Sequence, residues 1–296
     1  MKSRPTWLEG CWVVLDHAPD GDSVRFVPDQ PIPVSQSMPR LRWSKDGALS
    51  VRLLGVDAPE IHYRRRGQPL WRQPPPWGER AAQALLNFLG FPELQRNLAG
   101  RVVGAEPQAC RGTLGILRVD RYGRALALAL RGEQGLTLED YGTRDVSLAW
   151  EDLWEVSANR ELLQQGHVYP LVHKDFPVNW RVSLSTSVQM ARMQGKGVWR
   201  VDRTHCGVPL LDAQTLRDTL ESACLIWPFL FRRLVDIETC FRHASSSKAW
   251  LSRLNRHTGL VSLSSVSGTV PFLDLISFTD GKLQLLVPPE EIVIHS

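Results

Sequence analysis

Short runs of alternating apolar and polar residues dominate the first part of the chain. Residues 12–26 predict strand, turn and strand, with Asp20-Gly21-Asp22 at the bend. Residues 49–56 predict another strand, closed by Asp57-Ala58-Pro59-Glu60, where the proline removes a ladder donor. The stretch 27–47 is rich in Pro, Gln and Ser and predicts a long loop. A second loop at 61–77 carries Arg64-Arg65-Arg66 and Pro74-Pro75-Pro76. The period then becomes helical. Ala81, Leu85 and Phe88, with Ala82, Leu86 and Leu89, form one broad apolar face, begun by Glu79 and stopped by Gly90 and Pro92. Two β runs follow, 112–119 and 125–130, joined by Asp120-Arg121-Tyr122-Gly123-Arg124. A polar stretch at 132–156 reads as an insertion. Helices are expected at 159–165, ending on Gly166, and at 178–194.

From about residue 207 the pattern changes. Asp212 is placed to cap a helix with Ala213, Leu216, Leu220 and Ala223 on one face, and a second helix is expected around 228–243. Asp280-Gly281 then joins 272–278 to 282–287 as a β-hairpin. These signals put a boundary near residue 203, dividing the chain into 1–203 and a small α+β module at 204–296.

Composition adds moderate constraints. The 296 residues are 43% hydrophobic and 22% charged, enough apolar content for one large domain or two modest ones. Net charge is only +4, but it is unevenly spread: residues 1–200 hold 26 Lys and Arg against 21 Asp and Glu, whereas 201–296 hold 9 against 10. The basic surplus therefore falls in the part that suits a polyanion. The five cysteines are scattered, without C-x-x-C or Cys/His finger spacing, so free thiols are expected rather than zinc or disulfides. Neither a secretory signal nor a membrane-length apolar run is visible, which predicts a soluble, cytoplasmic protein with no membrane partner.

Each candidate motif alone has a plain explanation as a bend, a strand stop or a surface turn. Their conjunction carries the chemistry. Asp22 and Asp57 each sit where a strand meets a bend or ends, the position from which a barrel converges oxygen ligands on a hard cation. Glu60 follows Asp57 by three residues, Arg52 precedes it on the same strand, and Arg124 comes from a separate hairpin. Phosphoryl chemistry needs this inventory: a cation on the phosphate, a carboxylate to orient water, and guanidinium forks for charge developing on the phosphate oxygens.

These residues resemble the staphylococcal nuclease (thermonuclease-like) domains. The matching stretches are Asp20-Gly21-Asp22-Ser23-Val24 and Val51-Arg52-Leu53-Leu54-Gly55-Val56-Asp57-Ala58-Pro59-Glu60, then Gly78-Glu79 with Ala81-Ala82, Asp120-Arg121-Tyr122-Gly123-Arg124, residues 159–166 and residues 195–199. They occur in family order and span roughly residues 10–200. The resemblance implies an α+β fold, a five-stranded OB-like barrel with three helices. It also implies a metal-dependent endonuclease acting on DNA, RNA or both with little sequence selectivity and leaving 3′-phosphates. By the same resemblance, Asp22, Asp57 and the carbonyl of Ala58 hold calcium, with magnesium or manganese as alternatives. Glu60 would then activate water, Arg52 and Arg124 would stabilise the transition state, and Arg121 and Tyr122 would contact the nucleotide. The loop at 27–47 and the stretch 132–156 depart from the family in length, and Tyr169 and His173 are the candidates for its nucleotide-pocket tyrosines.

Arg64, Arg65 and Arg66, directly after Glu60, are candidates for tracking the phosphate backbone, and Trp71 and Trp77 for stacking on bases. The rival reading is a nuclease-like adaptor that binds nucleic acid without cutting it. The presence together of Asp22, Arg52, Asp57, Glu60 and Arg124 favours the enzyme. Residues 204–296 are expected to bind a protein partner or a second copy and to govern the nuclease.

Overall fold

The computed structural model describes residues 6–32, 38, 40–64, 67–132, 152–210, 212–238, 254, 259–264 and 268–295. Most of the expected insertion at 132–156, the C-terminal part of the helix expected at 228–243, and Arg65 and Arg66 lie outside the described residues. The chain is a mixed α+β protein that divides into two compact units, residues 1–54 with 81–162 and residues 55–80 with 163–296.

The first unit is built on a closed five-stranded barrel of β1 (Thr6–Val13), β2 (Ser23–Pro28), β3 (Leu49–Leu53), β4 (Ala109–Val119) and β5 (Ala125–Arg131). The order is β1-β2-β3-β5-β4, with β4 returning to β1. Only the β3–β5 pairing is parallel. Alternation fixes which residues enter the barrel: Val24 and Phe26 on β2 and Leu49, Val51 and Leu53 on β3 are buried, while Ser50 and Arg52 between them are part-exposed. Trp12 fills the interior. It donates Nε1–H to the Leu130 carbonyl at 3.0 Å and meets Phe26 edge-on at 4.7 Å. Gly112, the register partner of Gly10, leaves that space open, since a Cβ there would collide with the Trp12 indole.

The helix α1 (Trp77–Leu89) buries the apolar face foreseen from its periodicity, with Ala81, Ala82, Leu85, Leu86 and Leu89 inside. α2 (Ala158–Gln164) is fastened by Asn159, a fully buried amide. Its Nδ2 donates to the carbonyls of Leu54 at 2.8 Å and Ala127 at 3.0 Å, and its Oδ1 accepts from the Ala129 amide at 3.1 Å. A hairpin of Glu93–Arg96 with Val102–Glu106 has no counterpart in the sequence reading, because its first strand is almost wholly exposed and shows no apolar alternation.

The second unit contains α3 (Val178–Met193), α4 (Ala213–Asp218) and α5 (Pro228–Asp236). Asp212 caps α4 as foreseen, accepting from the Thr215 amide at 2.7 Å. The C-terminal hairpin pairs Ile276–Thr279 with Lys282–Leu285 around Asp280 and Gly281, both at positive φ. Phe272–Leu275, read as strand, is a 3-10 turn instead.

The boundary expected near residue 203 falls inside this unit. Segments on either side of it share one core: Val172–His173 pairs in parallel with Ile292–Ile294, and Arg192 forks onto the buried Glu290 at 2.7 and 2.8 Å. Trp227 has no exposed surface, donates to the Pro170 carbonyl at 3.0 Å, and packs with Phe229 and Phe272. Sequence periodicity reports each helix face but not which segment covers it. Ending the chain at Arg203 therefore strips the core of this unit. The truncated protein should aggregate or lose its cooperative unfolding transition, as measured by size exclusion and by circular dichroism during heating.

Candidate functional site

The sequence-derived residues fall into three groups of contacts, two in the first unit and one in the second. In the first unit, Asp22 lies immediately before β2 and is almost fully buried. Arg52, on β3, places Nη1 2.8 Å from Asp22 Oδ1, which also accepts from the Ser23 hydroxyl at 3.1 Å. The pairing is dictated by register: Ser23 faces Arg52, and the Leu53 amide donates to the Asp22 carbonyl at 2.8 Å.

Arg124 precedes β5, whose Ala125 and Leu126 pair with Val51 and Arg52. Arg124 therefore stands just outside the strand, two residues before Leu126, the register partner of Arg52. Arg124 is set by its own turn. Its Nε donates to Asp120 Oδ2 at 2.8 Å, while Asp120 Oδ1 accepts the amides of Tyr122 at 2.8 Å and Arg124 at 2.9 Å. Burial pushes the Asp120 carboxyl upward in pKa, but the backbone and side-chain bonds from Arg124 outweigh it and hold it below its ordinary value. Gly123 is required here by its φ of 84° and by the close approach of Arg42, whose side chain a Cβ would strike. Tyr122 is exposed. The guanidinium groups of Arg121 and Arg124 lie over its ring at 4.8 and 5.5 Å, and Arg121 donates to its hydroxyl at 2.6 Å.

In the second unit, Asp57 has no solvent-exposed surface, and its strand Val56–Asp57 pairs with Tyr169–Pro170. Its carboxylate meets a group that the sequence reading did not anticipate. Arg232 of α5 donates Nη1–H to Asp57 Oδ1 and Nη2–H to Asp57 Oδ2, both at 2.9 Å. The same Nη1 donates to Glu60 Oε1 at 2.6 Å. Burial alone would lower the Arg232 pKa; the pull of Asp57 and then Glu60 reverses this and holds it well above its ordinary value. Glu60 is fixed through its backbone, since Gln73 Oε1 accepts its amide at 3.1 Å and the Gln73 amide donates to its carbonyl at 2.8 Å. Gln73 in turn donates Nε2–H to the Ile226 carbonyl at 2.7 Å, two residues before α5 begins. Tyr63 adds a second tie, donating its hydroxyl to Asp236 at 2.7 Å. The loop bearing Glu60 and the helix bearing Arg232 are thus held together at several points.

Ala58 is buried, and Arg64 is exposed. Two candidates are corrected. Trp71 is buried, with Arg217 stacked over its ring at 4.7 Å, so it offers no free face to a base. Tyr169 is fully buried with its hydroxyl donating to Asp202 at 2.8 Å, so it is a core residue rather than the wall of an open pocket. Among the described residues no group of three or more His, Cys, Asp or Glu side chains gathers to hold a metal. Nor is any helix among them long and apolar enough to cross a membrane. No protein-family model matches this chain, and no curated protein matches it.

Removing Asp57 takes away the bidentate partner of Arg232 and leaves the guanidinium to Glu60. Asp57→Ala should cost roughly 3–5 kcal/mol of stability, the range for breaking such a pair. Glu60→Gln should cost far less, because an amide oxygen still accepts from Arg232. Urea unfolding of the two variants beside the parent measures both.

Proposed function

We propose that the chain is a nucleic-acid phosphodiesterase of the staphylococcal nuclease type, hydrolysing DNA, RNA or both with low sequence selectivity. The observation that carries this reading is the barrel register, which sets Arg124, just before β5, two residues from Leu126, the partner of Arg52, with Asp22 against Arg52. Two guanidinium groups so placed suit the non-bridging oxygens of one phosphate. The strand order β1-β2-β3-β5-β4, closing on β1, supports an OB-like barrel for the first unit, a fold suited to oligonucleotides. Exposed Tyr122, with Arg121 and Arg124 over its ring, adds a cationic aromatic surface, and Arg64 to Arg66 add charge suited to a phosphate backbone.

Glu60 is the carboxylate of this set for orienting or deprotonating water, and its backbone bonds to Gln73 keep it in place. The reading calls for a divalent cation, calcium first, with magnesium or manganese as alternatives. The donors it names, Asp22, Asp57 and the carbonyl of Ala58, are oxygens of the kind such ions take. When bound, the ion would supply Lewis-acid polarisation of the phosphate. A second reading, a nucleic-acid-binding adaptor that does not cut, draws on one observation: Asp57 and Glu60 are already engaged by Arg232.

Digestion of single-stranded DNA, duplex DNA and RNA in the presence of calcium, and again with excess chelator, separates the two. The enzyme should cut with calcium and stop with chelator. Arg52→Ala and Arg124→Ala should each lower turnover by roughly 10²–10³, the cost of losing one donor aimed at transition-state charge. Binding without cleavage by the parent protein would leave the adaptor reading in place.

A further inference from the structure

The long connection between β2 and β3 carries two arginines, and the fold brings its later part against the turn that sets Arg124. We propose that Arg40 and Arg42 form, with Arg121, a subsite for the phosphate backbone of a nucleic-acid strand beside Arg124. The inference rests on the proposed reading only in taking nucleic acid as the ligand. It requires neither cleavage nor a metal.

The placement is fixed by the backbone. The Arg42 amide donates to the Gly123 carbonyl at 2.9 Å, and the Leu41 amide donates to the Met38 carbonyl at 2.8 Å. The Arg42 stem then crosses Gly123, where a Cβ would strike its Cγ and lie 2.8 Å from the Arg40 carbonyl oxygen. Glycine at this position therefore admits the arginine as well as making the turn. Leu41 is buried and holds the segment to its unit, while Arg40 and Arg42 on either side of it are exposed.

Charge around this turn is not balanced locally. Asp120 is the turn's one carboxylate, and it is engaged by the Arg124 side chain and by the amides of Tyr122 and Arg124. Arg121 is directed to the hydroxyl and ring of Tyr122 rather than to an acid. Among the described residues no carboxylate forms an ion pair with Arg40, Arg42 or Arg121. Like charges gathered on one exposed surface repel, and the ligand that relieves this is anionic. These cations come from two separate segments of the chain. A phosphodiester strand, with a charge at every nucleotide, meets them together.

The test is the salt dependence of binding by the full chain. It is read by fluorescence anisotropy with a short fluorescein-labelled oligothymidylate in excess chelator. Replacing Arg40 and Arg42 together by Ala should lower the slope of log affinity against log salt by about 1.4, since each phosphate contact with a single strand contributes about 0.7. Both side chains are exposed, so this variant should unfold thermally like the parent. Arg40→Lys with Arg42→Lys keeps both charges and should keep the parent slope, which separates charge from a structural effect. An unchanged slope in the alanine variant overturns the proposal, as does a parent that does not bind the probe. An equal fall per charge removed in Arg96→Ala, on the hairpin of Glu93–Arg96 with Val102–Glu106, also overturns it, because net charge alone would then account for the effect. Digestion of nucleic acid by the parent with calcium is scored separately. Digestion with an unchanged slope keeps the nuclease reading and sinks this subsite, whereas the expected slope change without digestion does the reverse.

Discussion

A carboxylate removed from water must find a cation, and Asp57 is removed from water completely. The arrangement of the second unit follows from how that charge is met. Arg232 reaches it only because α5 is seated by buried aromatic and aliphatic side chains, because Gln73 ties the Glu60 loop to Ile226, and because Trp227 anchors the helix start on Pro170. Segments far apart in the chain are thereby committed to one another. A buried ion pair of this kind adds little net stability against an apolar alternative, but removing either member is expensive.

The first unit solves a different problem. Its barrel has to present arginines outward while filling its own interior, and the two-residue period of a strand does both at once. Leu49, Val51 and Leu53 go in, Arg52 comes out, and Trp12 occupies the centre where Gly112 leaves room. Arg124 owes its position to a turn whose Asp120 is saturated by backbone amides and by the arginine itself. Both guanidinium groups are held by carboxylates. That pre-organises their direction and restricts their rotamers.

The two functional readings of this protein differ in what happens to the acids. In an adaptor of the proposed kind, the arginine pairs would stay in place and the barrel would bind by charge. In an enzyme of the proposed kind, those acids would have to be available to the reaction. The contact from Arg232 to Asp57 and Glu60 bears on both readings.

Much of the local structure was legible in the residues themselves. The apolar face of α1, the Asp212 cap, the Asp280-Gly281 hairpin and the alternation through β2 and β3 all follow from short-range periodicity and turn chemistry, and each stands in the fold. The juxtaposition of Asp22 with Arg52 was not, because the long connection between β2 and β3 leaves their register open in the sequence. The exposed strand Glu93–Arg96 left no apolar signal, and the burial of Trp71 and Tyr169 depended on partners supplied from elsewhere in the chain. Arg232 is the clearest case. In the sequence it is one arginine beside another on the polar side of an amphipathic helix, with nothing to distinguish it from a solvated residue. Sequence determined which residues carry charge and which faces seek burial, because those are local properties of side chains. Only the tertiary structure decided that this guanidinium would lie 172 residues from Glu60 along the chain and 2.6 Å from it in space, because packing, not periodicity, chooses the partner of a buried charge.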